Sequence, residues 1–374
     1  MHMPILSPKP VQGGVMLYKI ILCCLVTVSL FSIEQVYLKT PDLFKENIIG
    51  TVSGIRPFRS SGVRIEAEYI GDKCIVHNYG YGGSGFTLCF GGAKEVLDIL
   101  DHHISSSKTV AVLGAGVIGL ATAYDLLAQG YEVHLYASEW TPHLTSNIAA
   151  GIWTPLLFPK NLSEEKKQFH LKLQNNAEKR FMKSVVESPE FSGVRLINCY
   201  SFLAQNVQES ERTKEREEVI ACFDNGITKK GRKIVEIAIE GQLFLDDLFL
   251  KVKEKGAILT QCKFESLEDL VKLEEPLIIN CTSMGAISLF NDESFLPVRG
   301  QLVYFKPQPE IDYLYSHQID NAPDDSAQFF VSIYPWSDRI ILGDVYELDE
   351  EEPIVVPEII DKIIENGRKN FSGL

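Results

Sequence analysis

The chain has 374 residues, of which 45% are hydrophobic, and it carries a formal net charge of −14. This length and apolar content suit one large core or two unequal domains, and they exclude a disordered chain. The acidic balance argues against a nucleic-acid-binding protein, because a surface that binds phosphates must be basic. The eight cysteines include no CxxC pair, so they indicate neither a metal site nor a disulfide framework.

The first predicted element is an apolar segment at residues 15–33. It contains one lysine and then fourteen uncharged residues, from position 20 to position 33. This pattern is short for a membrane span and also fits the charged and apolar parts of a signal peptide. We therefore expect residues 1–36 to be a signal peptide or membrane anchor, which implies a secreted, periplasmic or membrane-anchored protein. The alternatives are a buried helix or a fused segment, with a cytoplasmic protein.

Short strands broken by glycine, proline and serine are predicted from residue 44 onward. They end in the glycine-rich sequence HNYGYGGSG at residues 77–85. After it the apolar residues recur with helical spacing up to residue 100. A glycine-rich loop that opens a helix is thus predicted here, with His77 as a loop residue.

A second glycine-rich turn, GAGVIG, follows the predicted strand 109–113 and opens a predicted helix. In such a βαβ unit Gly114 permits the tight turn, Gly116 lets the backbone approach a pyrophosphate, and Gly119 lets helix and strand pack closely. Glu139, after the second strand, is the candidate acid for the ribose hydroxyls. The pattern indicates a dinucleotide site, but by itself it fits both NAD and FAD.

Helices and strands continue to alternate through the rest of the chain, which ends in a helix near residues 357–371. This alternation predicts an α/β nucleotide-binding domain with a second domain built on a sheet. His317 is predicted to lie in a loop or lid, next to the acidic segment 318–328.

The segment TPHLTSNIAAGIWTPLL, at residues 141–157, resembles the D-amino acid oxidase family of flavoproteins, whose members carry T-P-x-x-T-[TS]-x-x-A-A-G-x-W-x-P. Similar segments are IEGQLFLDDL, IINCTSMGA, PVRGQLV, SGIRPFR and HNYGYGGSGFTLCFGGA, which extend the resemblance over most of residues 48–345. It implies FAD as the cofactor and a Rossmann-like FAD-binding domain with a second, sheet-based α+β substrate domain. The expected boundaries are 62–155 plus 240–297 for the FAD-binding domain and 37–61, 156–239 and 298–374 for the substrate domain.

The order of these segments differs from the family pattern. Family members begin with the βαβ turn and finish with the R-P-x-R strand and the HNYGxGGxG loop, whereas here the last two come first. We therefore expect a permuted connectivity, in which the old termini are joined through DHHISSSK at residues 101–108. Termini of compact domains often lie close together, so a short bridge is physically reasonable. The alternatives are a fragment of a tandem copy and an error in the gene model.

The resemblance implies that both glycine turns line one flavin site. Tyr81 replaces the histidine that the family usually has in the loop, which would change access to the flavin. The cofactor-binding residues implied are Gly114, Ala115, Gly116, Val117, Ile118, Gly119, Glu139, Thr145, Ser146, Ala150, Gly151, Ile152, Gly82, Gly83, Gly85, Phe86 and Thr87.

For the substrate, the resemblance implies that Arg56 grips the α-carboxylate by two parallel hydrogen bonds. It also implies that the backbone of Gly83 receives the amine and that Tyr334 supports the carboxylate. A different alignment puts Ser332 in the place of Tyr334, and Arg59 is expected to be structural. No catalytic side chain and no metal are expected.

The implied reaction is oxidative deamination of a D-amino acid by hydride transfer to flavin N5, with oxygen as the second substrate. The products are a 2-oxo acid, ammonia and hydrogen peroxide. The acidic segment 318–328 favours neutral or basic substrates over D-aspartate. The alternatives are a glycine- or sarcosine-type amine oxidase, a flavin-binding protein without turnover and, from the GAGVIG turn alone, an NAD-dependent dehydrogenase.

Overall fold

The structure, a computed structural model, describes residues 33–103, 107–154, 162–202, 216–319 and 327–372. These ranges form a mixed α/β fold with two sheets, which confirms the predicted fold class at this level. The strands are β1 (Glu34–Leu38), β2 (Ile48–Arg59), β3 (Arg64–Ile70), β4 (Lys73–Tyr79), β5 (Thr109–Leu113), β6 (Glu132–Ala137), β7 (Ile152–Trp153), β8 (Val194–Phe202), β9 (Glu217–Phe223), β10 (Thr228–Ile239), β11 (Ile258–Gln261), β12 (Leu277–Asn280), β13 (Phe295–Phe305), β14 (Leu314–Gln318), β15 (Ala327–Pro335) and β16 (Ile340–Leu348). The helices are α1 (Gly85–His103), α2 (Val117–Ala128), α3 (Thr145–Ile148), α4 (Glu164–Val186), α5 (Gly241–Glu254), α6 (Leu267–Val271), α7 (Gly285–Phe290) and α8 (Pro357–Asn370).

The smaller sheet has six strands in the order β11-β6-β5-β12-β4-β3. Its strands are parallel except β3, which pairs antiparallel with β4. β4 and β12 are buried along their whole length, as expected for parallel strands that are covered on both faces. Helices α1, α2 and α5 share one apolar core with this sheet, and α6 packs against the opposite face.

The larger sheet has ten strands, in the order β1-β9-β10-β8-β14-β15-β16-β13-β2, with β7 attached to β10. Most of its neighbours are antiparallel; β1 with β9 and β14 with β8 are parallel. The strongly amphipathic helix α8 buries Ile360, Ile363 and Ile364 in the core of this sheet.

β1 begins at Glu34, inside the segment 1–36 that the sequence assigns to a signal peptide or anchor. Its residues pair with β9, and Val36 and Leu38 are buried. The boundary at residue 36 is therefore corrected, because residues 34–36 belong to the folded sheet. The described residues include no helix that is long and apolar enough to cross a membrane. Residues 1–32, which hold nearly all of the predicted apolar segment, lie outside the described part.

The residues that precede β5 are built into both sheets. β2 pairs along its length with β13 at one end of the larger sheet, and β4 lies between β12 and β3 in the smaller one. α1 packs on α2 and on α4. The bridge 101–108 is described only in part, and the circular permutation stays a prediction.

Candidate active site

The GAGVIG turn joins β5 to α2 through two positions that only glycine can occupy. Gly114 has φ +99°, and a Cβ added there would lie 2.6 Å from the carbonyl oxygen of Cys281. A Cβ on Gly119 would lie 1.8 Å from the oxygen of Gly114. Real Cβ atoms never approach that closely, so both glycines are needed for the fold of the turn itself.

Gly116 differs from the other two glycines of this turn. It is the N-cap of α2, with φ −68°. A Cβ on it would meet one atom within 4 Å, the Ser146 hydroxyl oxygen at 3.4 Å. Ser146 accepts a hydrogen bond from the N–H of Val117, at 3.1 Å, so a polar group already lies at the helix start. Gly114 and Gly119 are thus packed tightly against the protein, whereas the space at Gly116 is largely free. A pyrophosphate-binding turn requires such free space beside its second glycine.

The HNYGYGGSG loop runs across the side chains of β2. Gly80, Gly82 and Gly83 all have positive φ, of +85°, +56° and +94°. A Cβ on Gly82 would lie 2.7 Å from the ring of Phe58, and one on Gly83 would lie 3.0 Å from Cδ of Arg56. The successive glycines therefore let the loop lie directly on the strand that carries the predicted substrate arginine.

The two glycine turns meet where their helices begin. A Cβ on Gly85, the first residue of α1, would lie 3.2 Å from a methyl group of Val117, the first residue of α2. Asn78 also donates to the hydroxyl of Thr122 at 3.0 Å. The structure thus brings together the two glycine turns that lie some thirty residues apart in sequence.

The AAG segment lies against the same region. Thr145 and Ile148 of α3 would contact a Cβ on Gly54 of β2, at 3.6 and 3.5 Å. Gly151 has φ +79°, and its missing Cβ would lie 2.1 Å from the oxygen of Ile239. Because glycine has no side chain, it can adopt this φ and pass close to Ile239, and the chain turns here from α3 into β7.

The remaining predicted cofactor residues are placed as follows. Phe86 is buried against Phe244, with the ring centroids 6.1 Å apart. The Thr87 hydroxyl is buried and donates to the Ile152 oxygen at 3.4 Å.

Glu139 is exposed just beyond β6, at the sheet edge where β5 also ends. Ala115 is buried, Ile118 is half-buried, and Ala150 accepts a hydrogen bond from the Trp336 indole at 2.6 Å.

Two other sequence expectations are corrected, those for His77 and His317. His77 lies in β4, fully buried, with its Nε2 3.1 Å from Glu68, because the strand continues up to the first glycine of the loop. His317 lies in β14, where it pairs with Val331. Tyr81 is buried against Leu88, and its hydroxyl donates to Oδ1 of Asn78, while its effect on access to the flavin stays a prediction. Burial raises the pKa of Tyr81 well above its usual value.

The guanidinium of Arg56 contacts two residues of β16, Asp344 and Val345. Its Nη1 donates to the oxygen of Val345 at 2.8 Å, and its Nη2 lies 3.0 Å from Oδ1 of Asp344. The ring of Tyr346 lies 4.2 Å from the guanidinium carbon. A Cβ on Gly300 would collide with the guanidinium, so the space for Arg56 depends on that glycine.

Tyr334 lies on β15 and donates its hydroxyl to Oδ2 of Asp344 at 3.2 Å. Burial and the negative charge of Asp344 raise the pKa of Tyr334 well above its usual value, so the phenol stays protonated. The charge of Asp344 also raises the pKa of Tyr346. The three predicted substrate residues thus lie close together, with Arg56 beside Gly83 and with Arg56 and Tyr334 bound to one carboxylate.

Asp344 and Tyr346 are the residues of this cluster that sequence reasoning missed. The available signal was weak: an acidic residue interrupts the apolar strand IILGDV. A separate cavity of about 630 Å³ lies between β8 and the loop after β13, and Arg195, Glu240 and Trp336 are among its lining residues. None of the predicted substrate or cofactor residues lines that cavity.

Comparison with known proteins assigns the chain to a family. A family model described as DAO, FAD dependent oxidoreductase, matches residues 109–374, and the chain therefore belongs to that family. It is similar to the D-amino acid oxidase of Dugesia ryukyuensis, with 26% identity over 207 residues that cover 52% of this chain and 60% of the relative. It is also similar to the human D-aspartate oxidase, with 25% identity over 207 residues, 52% of this chain and 58% of the relative.

A third relative is the D-amino-acid oxidase of Streptomyces coelicolor, with 27% identity over 264 residues, 68% of this chain and 75% of the relative. The matched part spans less than two thirds of the planarian and human proteins. FAD is the cofactor of this family. The closed Gly114 and Gly119 positions, the open Gly116 and the exposed acid Glu139 fit a bound dinucleotide.

Proposed function

We propose that the protein is an FAD-dependent oxidase that deaminates a D-amino acid to a 2-oxo acid, ammonia and hydrogen peroxide. The observation that carries the proposal is the placement of Arg56 against the Gly83 loop, whose helix begins beside the dinucleotide turn. A carboxylate-binding group and a glycine-rich loop thus lie next to the region that would hold the cofactor.

The residues that would hold FAD come from three segments: the turn from Gly114 to Gly119, the segment from Thr145 to Ile152, and the loop from Gly82 to Thr87. Glu139 would bind the ribose hydroxyls, because it follows the second strand of the βαβ unit. When bound, FAD supplies the acceptor for the two electrons of the Cα–H bond and the site of reaction with oxygen.

The protein's own residues bind and orient the substrate in this proposal. Arg56 binds the α-carboxylate through charge-assisted hydrogen bonds, and the hydroxyl of Tyr334 donates a further one. The backbone of Gly83 receives the amine on the same side of the site. Fixing both ends of the amino acid holds its Cα–H bond in one direction, which is the main contribution that the reaction needs from the protein.

The substrate preference that we propose is for neutral or basic D-amino acids. Asp344 lies within the cluster, 3.0 Å from Arg56, and its negative charge would repel a second carboxylate such as that of D-aspartate. A part of the acidic segment 318–328 lies outside the described residues, so this preference depends on Asp344 rather than on that segment.

We further propose the domain division given above, with the smaller sheet binding FAD and the larger sheet binding the substrate. The positions of β2, β4 and α1 support the permuted connectivity: these elements complete both sheets although the family match starts only at residue 109.

A peroxide assay on the purified, FAD-loaded full chain tests the proposal. We expect peroxide and a 2-oxo acid from D-alanine, and none from L-alanine, because the carboxylate and amine contacts, together with a Cα–H bond that must face the flavin, fix one hand of the substrate. Turnover of glycine or sarcosine but not D-alanine would instead show a glycine-type amine oxidase. Bound flavin without turnover of any of these compounds would show a flavin-binding protein and would contradict the proposed activity.

A second candidate, oxidation of an amine without an α-carboxylate, is favoured by one observation. Nη2 of Arg56 already binds a carboxylate of the same chain, that of Asp344. An amine that lacks a carboxylate would leave this ion pair intact, so ethylamine belongs in the same assay.

A further inference from the structure

One carboxylate of the chain occupies both groups that would bind a substrate carboxylate. Oδ1 of Asp344 lies 3.0 Å from Nη2 of Arg56, and Oδ2 accepts the hydroxyl of Tyr334 at 3.2 Å. These are the two contacts that the proposed function assigns to the α-carboxylate. Asp344 therefore has the place, the charge and the partners of a bound substrate carboxylate.

The donors of Arg56 show what an incoming carboxylate would have to do. A guanidinium offers five N–H donors, and two parallel N–H groups make the strong bidentate contact. Here Nη1 donates to the backbone oxygen of Val345 at 2.8 Å and to that of Arg299 at 3.5 Å. Nη2 contacts the carboxylate of Asp344. A carboxylate ligand that makes the bidentate contact through the two terminal nitrogens must therefore share Nη2 with Asp344 or displace the side chain of Asp344 from it.

The charges of Arg56 and Asp344 also indicate that an incoming carboxylate competes with Asp344. Arg56 and Asp344 have side chains that are only 18% and 23% exposed, so their attraction is less screened than that of a surface pair. Together they are formally neutral. The pair therefore attracts an incoming anion much less than a free guanidinium would, and displacing Asp344 leaves its charge close to the ligand's own.

We propose that Asp344 is the specificity-determining residue of this site, an internal carboxylate that competes with carboxylate ligands for Arg56 and Tyr334. The proposal rests on the proposed function only in taking Arg56 and Tyr334 as the carboxylate-binding residues. It implies weak binding of simple α-amino acids by the native chain. Amines without an α-carboxylate do not meet this competition, so Asp344 favours them relative to α-amino acids.

Calorimetric titration of the FAD-loaded full chain with propanoate, which is D-alanine without its amine, measures this competition. Asp344→Asn removes the charge and keeps the shape of the side chain, and Asp344→Ser provides a second, smaller variant. The matched control is Asp338→Asn, which removes an equal charge from the turn between β15 and β16, where Asp338 pairs with Arg339. We expect propanoate to bind roughly tenfold more tightly or better to both Asp344 variants, and unchanged to the control.

Several results would overturn the proposal. Unchanged or weaker propanoate binding in folded Asp344→Asn and Asp344→Ser would show that Asp344 does not compete for Arg56. An equal gain in Asp338→Asn would show a general charge effect, and absence of binding in every protein would remove Arg56 as a carboxylate site. In the double variant Arg56→Ala with Asp344→Asn, we expect the gain to disappear.

The binding experiment is independent of turnover, because propanoate has no amine to oxidise. If no D-amino acid is oxidised but propanoate binds more tightly without Asp344, the proposed activity fails and the competition stands. Where turnover is measurable, Asp344→Asn should raise the ratio of kcat/KM for D-alanine to that for ethylamine. An unchanged ratio would contradict the assigned specificity.

Discussion

Arg56 has several contacts in its own chain, and two of them affect most what its replacement will do. The guanidinium binds the charge of Asp344 and the backbone oxygen of Val345, which lie 288 and 289 residues away in sequence. The arginine therefore ties β2 to β16 as well as offering donors to a ligand. Its removal would cost both binding energy and some stability, because a partly buried carboxylate would lose its partner.

We predict that Arg56→Ala lowers kcat/KM for a D-amino acid by roughly a hundredfold or more, the effect expected for the loss of a charge-assisted contact in a sheltered site. Steady-state peroxide assays measure it. Arg339→Ala is the control, since Arg339 pairs with Asp338 at the tip of the β15–β16 hairpin. An unchanged kcat/KM in folded Arg56→Ala would remove Arg56 from the substrate site.

The substrate cluster shows how far single residues could be predicted. Arg56 and Tyr334 were found through a resemblance that covers short local segments. Asp344 was not found, because its contact depends on the register of β2 with β13, of β13 with β16 and of β16 with β15. No local pattern in the sequence predicts the combined register of these three strand pairs.

At the scale of elements, the βαβ turn was the most predictable part of the molecule. Its glycine spacing follows a local strand-turn-helix geometry, in which Gly119 packs on the oxygen of Gly114, while Gly114 itself packs on the distant Cys281. The ends of β4 and β14 were harder to predict. Glycine-rich and acidic neighbours suggested loops at His77 and His317, but pairing with strands on both sides, including the distant β12 and β8, extends both strands through these residues.

Two glycines of the turn separate its structural and its binding roles. Gly119→Ala would drive a Cβ into the oxygen of Gly114, so we predict a loss of about 3 kcal/mol or more in the free energy of unfolding. Gly116→Ala meets only the Ser146 hydroxyl, at 3.4 Å, and has an ordinary φ, so stability should change by less than about 1 kcal/mol.

For Gly116→Ala we predict instead a roughly tenfold rise in the Kd for FAD, because the added methyl faces the space where the backbone would approach a pyrophosphate. Thermal unfolding and fluorescence titration of the apoprotein with FAD measure the two effects. Equal FAD affinity in Gly116→Ala and the native chain would contradict the assigned position of the pyrophosphate.

Helix α4 carries a pH-sensitive contact with the turn between β2 and β3. His170 Nε2 accepts the N–H of Val63 at 3.2 Å, which requires the neutral ring. Burial, together with the charge of Lys166, lowers the pKa of His170 to about 4 from an ordinary value of 6.5. The unfolded chain thus binds a proton between pH 6.5 and 4 that the folded chain excludes, and stability falls as the pH falls through this window.

We predict that His170→Gln reduces this loss, since its amide oxygen can still accept from Val63 but does not titrate. Tm measured at steps between pH 7 and 4 gives the comparison, with exposed His143→Gln as the control. A native-like slope of Tm against pH in His170→Gln would contradict the assignment.

At the scale of the whole molecule, the elements that precede β5 form part of both sheets. β4 is an inner strand of the smaller sheet, and β2 covers the free side of β13. The family match nevertheless starts at residue 109. Composition and alternation of elements were enough to predict two sheet-based units, but only the resemblance of SGIRPFR and HNYGYGGSG assigned the early segments to them.

We predict that the fragment 109–374 is insoluble or unfolded and binds no FAD, because β12 and α2 would expose faces that β4 and α1 bury in the intact chain. Circular dichroism and FAD titration test this. Supplying residues 33–108 as a separate chain should restore part of the binding. A soluble 109–374 fragment with native FAD affinity would contradict the account of one interdependent fold.

The central claim is that one FAD, bound between the two glycine turns, accepts electrons from a D-amino acid held by Arg56. Anaerobic mixing of the FAD-loaded full chain with D-alanine tests it most directly, with absorbance of the oxidised flavin as the readout. The account predicts that this absorbance is lost, slowly in the native chain and faster in Asp344→Asn, and that it returns with peroxide formation when air is admitted. Flavin that stays oxidised in both proteins, with neutral and basic D-amino acids alike, would contradict it.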